Sequence, residues 1–163
     1  MRRSILLFPK FDNAELIERI RSEHDPLYGL ISPRITLVFP FVDDIDNNAL
    51  EDIVIRCTKG ISPFKLVMQG ITANGNYLFL NVKSGNDNII EIKDTLYSHL
   101  PFEYNRQYTY IPHITLGNTE NINSALASTD DFNYTFETTI DRVCIETIDG
   151  EEKSHILFQI ILD

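Results

Sequence analysis

Two side chains in one short stretch of the sequence could act together, one as a proton carrier and one as a hydrogen-bond donor to an oxyanion. His113 and Thr115 alternate along an apolar, β-prone segment that reads Pro-His-Ile-Thr-Leu. Alternate side chains of a strand share one face, so the pair would lie about 7 Å apart on that face. An imidazole exchanges protons near neutral pH, and a hydroxyl donates hydrogen bonds to an oxyanion. The hydroxyl could therefore bind an oxyanion while the imidazole acts on a bridging oxygen, and a histidine that only pairs with a neighbouring carbonyl would produce the same pattern.

The same pattern occurs a second time in the chain. Pro-Arg-Ile-Thr-Leu places Arg34 and Thr36 79 residues before His113 and Thr115, close to half the chain length. Such internal similarity indicates two related structural units. We therefore predict an α+β fold with two antiparallel sheets that carry helices on their outer faces and are related by a pseudo-twofold axis. The two motif strands would face each other across a central cleft, within one bilobal domain over residues 1–163.

The other elements follow from apolar periodicity and from turn residues. The first half is predicted as strand, helix, strand, helix and a hairpin, and the second as helix, strand, helix and three strands. Hairpin turns are predicted at Asn74-Gly75-Asn76 and at Asp149-Gly150. The predicted strands cover 4–8, 34–39, 64–69, 77–82, 113–116, 134–140, 142–148 and 155–162, and the helices cover about 13–23, 47–58, 87–100 and 118–128.

The Pro112–Leu116 stretch resembles the His-x-Thr element of the 2H phosphoesterase superfamily, which includes 2′-5′ RNA ligases and cyclic nucleotide phosphodiesterases. The N-terminal Ile-Leu-Leu-Phe-Pro strand, the Asp25-Pro26 pair and the motif spacing resemble its bacterial phosphoesterase branch over most of the chain. The resemblance implies a hydrolase that uses neither metal nor other cofactor. Its substrate would be a 2′,3′-cyclic phosphate or a 2′-5′ phosphodiester of an RNA end or nucleotide. It also implies that motif histidines act as base and acid, while Thr36 and Thr115 hold the non-bridging oxygens.

The first motif departs from this family pattern, because Arg34 stands where the family has histidine. Arginine stays protonated and cannot act as a base, but it binds phosphate oxygens well. A positioned acid or base contributes roughly 10²- to 10⁴-fold in rate. We therefore predict His113, Thr115 and Thr36 as catalytic residues, and Arg34 and Tyr110 as substrate-binding residues, of an enzyme whose activity is weakened or altered. The alternative that Arg34 favours is a non-catalytic nucleotide- or phosphate-binding sensor or interaction module on the same fold.

The charge balance bears on the partner. There are 14 basic against 24 acidic side chains, a net charge of −10. Affinity for long nucleic acid comes largely from lysine and arginine. The sequence therefore favours a small nucleotide or an RNA terminus over long duplex or a membrane surface. No apolar run reaches the length of a membrane span or a signal-peptide core. Cys57 and Cys144 are predicted to be buried thiols, which is typical of a reducing cytoplasm.

Several other polar residues admit two interpretations. Asp43, Asp44 and Asp46 could bind a divalent cation, but acidic residues also start helices, and we predict a helix start with no metal. Tyr104 and Tyr108, like Tyr110, could stack on a base or could serve as packing residues.

The remaining histidines are assigned by their place in the predicted elements. His24 and His99 fall at predicted helix ends, where a structural role is expected because helix C-termini favour a cationic histidine. His155 lies in the last strand and is a further candidate at the border of the cleft.

Overall fold

The computed structural model describes residues 1–163 as eight strands and four helices. The strands are β1 (Arg2–Leu7), β2 (Ile35–Val42), β3 (Phe64–Asn74), β4 (Tyr77–Ser84), β5 (His113–Asn118), β6 (Phe136–Ile140), β7 (Arg142–Ile148) and β8 (Ser154–Ile161). The helices are α1 (Ala14–His24), α2 (Asn47–Thr58), α3 (Asn86–His99) and α4 (Ile122–Ala127).

All eight strands form one antiparallel sheet in the order β6-β3-β4-β5-β2-β1-β7-β8. The sheet consists of two four-stranded halves that meet where β5 lies beside β2. These two strands carry the repeated motifs, and they are joined by a single pair, Ile35 opposite Ile114. The predicted α+β class and antiparallel pairing are confirmed. The two predicted sheets are continuous with each other, because the motif strands themselves form the seam.

The helices cross from one half of the sheet to the other. Helix α1 follows β1 in one half but packs against β5 in the other half. Helix α3 follows β4 and packs against β2 in the reverse direction. Gly117 in β5 permits the close approach of α1, since a Cβ at this position would lie 2.6 Å from His24 Cβ. Both crossing helices therefore back the motif strands directly.

One hydrophobic core lies between the sheet and the helices. Alternate residues of the motif strands, Ile35, Leu37, Ile114 and Leu116, are fully buried in it. The intervening side chains point to the other face of the sheet, which carries no helix and is called the open face below. The alternation predicted for the motif strands is thus present in the structure.

The two predicted hairpins are confirmed, with different turns. In β3–β4, Asn74 pairs with Tyr77, which leaves a two-residue turn. Gly75 has a φ of 56°, a conformation that favours glycine. In β7–β8, Ile148 pairs with Ser154, so the connection is longer than a tight turn at Asp149-Gly150 predicts.

The acidic cluster begins α2, as predicted. The Asp46 side chain caps the helix by accepting from the backbone N–H groups of Asn48 and Ala49. Asp43 accepts a hydrogen bond of 2.7 Å from the buried guanidinium of Arg3. These contacts give two of the three carboxylates structural partners.

Two further findings concern the cysteines and the helix lengths. Cys57 and Cys144 are both buried and free. None of the four helices combines the length and the apolar character that crossing a bilayer requires.

Candidate active site

A cavity of about 850 Å³ opens on the open face beside β5. His113 and Thr115 of the second motif both line it. The other walls come from the β3–β4 hairpin and from the segment before β5. Its lining contains no lysine, arginine, aspartate or glutamate, and His113 is the one lining residue that can gain a positive charge. They are Phe39, Asn74, Gly75, Asn76, Tyr77, Phe79, Tyr104, Asn105, Tyr108, Thr109, Tyr110, Ile111, His113, Thr115 and Asn118.

The His113 ring is held on two sides. Its Nδ1 lies 2.5 Å from the carbonyl oxygen of Ile111, and since a carbonyl only accepts, Nδ1 carries the proton. Its ring stacks on Phe79 with a centroid distance of 3.5 Å. Burial lowers the pKa of His113 below its ordinary value, against the opposing effect of the Ile111 hydrogen bond. The imidazole is therefore neutral at pH 7, with Nε2 available as a proton acceptor.

Tyr110 links the cavity to the first motif. Its hydroxyl donates a 2.8 Å hydrogen bond to the carbonyl oxygen of Thr36. Burial is the main cause that raises the pKa of Tyr110, so its phenol stays protonated and keeps this bond. Thr36 itself does not line the cavity, although its side chain is on the open face with His113. The structure thus places Tyr110 in the cavity wall and joins it to the backbone of Thr36.

Tyr104 and Tyr110 are anchored by a cation behind the cavity wall. The ammonium of Lys93 in α3 lies 4.0 Å from the ring centroid of Tyr104 and 4.9 Å from that of Tyr110. Tyr104 also stacks on Phe39 with centroids 6.1 Å apart. Tyr108, by contrast, is 67% exposed. The cavity wall therefore combines two fixed aromatic rings with an exposed one.

Arg34 is not among the residues that line the cavity. Its Nη1 donates to the carboxylate of Glu146 in β7, a residue with no exposed surface. Glu146 also accepts a 2.6 Å hydrogen bond from Ser4 Oγ and a bond from Ser154 Oγ. Burial lowers the pKa of Arg34, and the Glu146 carboxylate opposes that effect. The guanidinium that the sequence predicted as a phosphate ligand thus has a protein carboxylate as its partner.

The three remaining histidines do not join His113. His24 and His99 occupy the last turns of α1 and α3, at the helix ends where they were predicted. His155 lies 2.8 Å from Asp149, is exposed, and does not line the cavity. His113 is consequently the one histidine of the chain in this site.

Two residues of the site were not singled out from the sequence. Glu146 is the only carboxylate in the apolar β7 strand, a pattern that predicts a buried partner for a cation. Phe79 alternates with the buried Leu78 and Leu80 of β4, which predicts that it lies on the open face. Its stacking on His113 depends on the alignment of β4 with β5.

The chain is similar in sequence to known proteins. The family model of the 2′-5′ RNA ligase superfamily matches residues 8–152. A protein of Halalkalibacterium halodurans named "Putative phosphoesterase BH1439" is 30% identical over 123 residues, which cover 72% of this chain and 70% of that protein.

Solved structures share the fold. The E. coli LigT crystal structure in complex with 3′-AMP superposes with a TM-score of 0.70 at 16% identity, covering 99% of this chain and 97% of that one. The crystal structure of TT0787 from Thermus thermophilus superposes with a TM-score of 0.66 at 12% identity, covering 99% and 98%. With the family model matching most of its length, this chain belongs to the 2′-5′ RNA ligase superfamily.

Proposed function

We propose that this protein binds a nucleotide or an RNA terminus in the cavity and cleaves a 2′,3′-cyclic phosphate or a 2′-5′ phosphodiester slowly. The observation that carries the proposal is that His113 and Thr115 open into one cavity with six aromatic rings. Aromatic side chains stack on bases with little regard to sequence. Solved structures of LigT with 3′-AMP, ATP and NADP+ support a small nucleotide as the ligand.

The chemistry follows from the state of His113. For a 2′,3′-cyclic phosphate, Nε2 takes the proton of a water molecule whose oxygen attacks phosphorus. The bond from phosphorus to one ribose oxygen breaks, and that oxygen takes a proton from solvent, since Arg34 cannot supply one. In this proposal the phosphate lies at the edge of the cavity where β2 meets β5, so that the Thr115 and Thr36 hydroxyls hold the non-bridging oxygens, joined by the N–H groups of Arg34 that Glu146 leaves unbonded. The absence of a second proton-transfer group makes the reaction slow.

A non-catalytic nucleotide-binding module is the second candidate. The observation that favours it is the ion pair between Arg34 and Glu146. Through this pair, the residue that replaces the family histidine is bonded to a protein carboxylate. Such a module would retain the cavity and bind the same ligands without turnover. The two candidates therefore differ only in the chemical step.

A ligand panel tests both. The panel pairs 2′,3′-cyclic nucleotides and 2′-5′ dinucleotides with their 3′-5′ counterparts, and each ligand is scored for binding by calorimetry and for turnover by chromatography. We expect micromolar to millimolar binding of the first group, with slow turnover that a chelator leaves unchanged. His113→Ala should abolish turnover and His99→Ala should not. Binding without turnover by the parent protein would select the module, and binding of none of these ligands would refute the proposal.

Salt and ligand length form the last arm of the test. A short ligand makes few phosphate contacts, so its affinity should depend only weakly on salt. Long duplex should not compete with it, given the net charge of −10. A steep salt dependence with uniform binding along duplex would contradict the assignment.

A further inference from the structure

Arg34 would normally make its surroundings favourable for a doubly charged phosphate. Its side chain is only 15% exposed, so solvent screens its charge weakly. Its partner Glu146 is completely buried and receives two further hydrogen bonds, from Ser4 and Ser154. The Glu146 carboxylate thus accepts from three side chains, and the Arg34 guanidinium is the only charged one of the three. As an ion pair, Arg34 and Glu146 offset each other's charge.

The cation nearest in effect to Arg34 adds no unpaired positive charge. A second cation, Arg21, lowers the pKa of Arg34 through its charge. Arg21 is itself paired with Asp25 at 2.8 Å and with Glu18 at 2.9 Å. The cavity beside β5 has no lysine or arginine among its lining residues. A phosphate bound where the two motif strands adjoin would thus meet hydrogen-bond donors on both motifs but no uncompensated positive charge.

We propose that Glu146 is an internal counter-ion that makes this site select a singly charged phosphodiester over a doubly charged phosphate monoester. Arg34 keeps N–H groups that can donate to a phosphate, while its charge is already neutralised. Each further negative charge on the ligand must then be desolvated, and no unpaired cation compensates that cost in free energy. The consequence for the reaction proposed above, on which this inference rests, is that a dianionic product is bound less tightly than its monoanionic substrate.

The test compares two ligands that differ mainly in charge. At pH 8, 2′,3′-cyclic AMP carries one negative charge and 3′-AMP carries two, because the second pKa of a phosphate monoester is about 6. The parent protein should bind the cyclic ligand more tightly. Glu146→Gln keeps an oxygen acceptor and uncovers the Arg34 charge, so it should shift the ratio of the two affinities toward 3′-AMP by about tenfold. Glu137→Gln, an exposed carboxylate on β6, changes the net charge equally and should leave the ratio as it is.

A double variant covers the possibility that Glu146→Gln does not fold. Arg34→Gln combined with Glu146→Gln removes both charges and leaves no unpaired buried ion. Its affinities should both fall, because Arg34 donors are lost, but their ratio should stay within about twofold of the parent ratio. A roughly tenfold loss confined to 3′-AMP would show that Arg34 acts as a free cation, which would overturn the inference.

Inorganic phosphate separates this inference from the proposed function. At pH 8 it is mainly a dianion without a nucleoside, so Glu146→Gln should bind it more tightly than the parent even if no nucleotide binds. That result with no nucleotide binding would refute the proposed function and keep the inference. Equal affinity of both proteins for inorganic phosphate, or an equal effect of Glu146→Gln on both adenosine ligands, would overturn the inference and leave the proposed function standing.

Discussion

Ile35 and Ile114 pair directly across the seam of the sheet, and each is the central residue of its own motif. One position to either side in an antiparallel ladder, Arg34 comes opposite Thr115, and Thr36 comes opposite His113. Arg34 and His113, which occupy the same position in the two motifs, therefore each lie opposite the threonine of the other motif. This pairing brings two sequence segments 79 residues apart side by side in one sheet.

The first prediction concerns the acid and base. Arg34→His should raise turnover of a 2′,3′-cyclic phosphate, recovering part of the roughly 10²- to 10⁴-fold that a positioned proton donor supplies. The parent rate should rise with pH and level off below pH 6.5, because burial lowers the pKa of His113 and the base must be neutral. The variant should add a falling limb as the new imidazole loses its proton. The measurement is turnover across pH.

The controls for this prediction are His113→Ala in both backgrounds, which should remove activity. Thr115→Val should mainly weaken phosphate binding. Faster turnover by the parent protein than by Arg34→His would mean that arginine is a working part of a different mechanism.

The second prediction concerns the ring that covers His113. Phe79→Leu should raise the pKa of His113 toward its ordinary value, because the stacked ring contributes to the desolvation that lowers it. Titration of the His113 ring protons by NMR measures this directly. Phe132→Leu, which removes a ring stacked on Phe136 instead, should leave the His113 titration unchanged.

A stability effect follows from the same pKa. A histidine with a lowered pKa in the folded state binds protons more readily when unfolded, so stability is lost as pH falls below about 6.5 toward the folded pKa. Phe79→Leu should reduce this loss, whatever it does to stability at pH 8. A loss that is equally steep in both proteins would show that Phe79 does not control the His113 pKa.

The third prediction concerns the contact between α1 and β5. Gly117→Ala places a Cβ 2.6 Å from His24 Cβ and 3.1 Å from the His24 carbonyl oxygen. Because backbone atoms must move, we expect a loss of roughly 1–3 kcal/mol in the free energy of unfolding. Gly150→Ala is the matched control, since nothing lies within 4 Å of its added Cβ. Urea denaturation measures the free energy of unfolding of both variants, and equal values would contradict the close approach of α1 to β5.

The fourth prediction concerns Lys93 behind the aromatic wall. Lys93→Met keeps the side-chain length but removes the charge that lies 4.0 Å from the Tyr104 ring centroid. We expect a loss of about 0.5–2 kcal/mol in stability. Nucleotide affinity should also fall, because Tyr104 and Tyr110 line the cavity. Lys83→Met, at a lysine bonded to Gln69 and remote from these rings, is the control. Unchanged affinity in Lys93→Met would show that the tyrosines hold their places without the cation.

Local patterns in the sequence determined much of the fold. The motif alternation predicted which face of each strand is buried, since side chains of a strand alternate whatever surrounds it. The turn at Asn74-Gly75-Asn76 and the start of α2 at Asp46 follow from backbone and capping preferences of single residues. His113 and Thr115 were found for the same reason, as two polar residues on the open side of an apolar strand.

Tertiary structure decided what those side chains touch. Arg34 meets Glu146, 112 residues away, and His113 meets Phe79 on the neighbouring strand. Both contacts depend on strand order and register, which arise from the packing of the whole sheet rather than from nearby sequence. The repeat itself could be predicted from the sequence. The pairing of the Arg34 charge with the buried Glu146 carboxylate could not, because that contact depends on where β7 lies in the sheet.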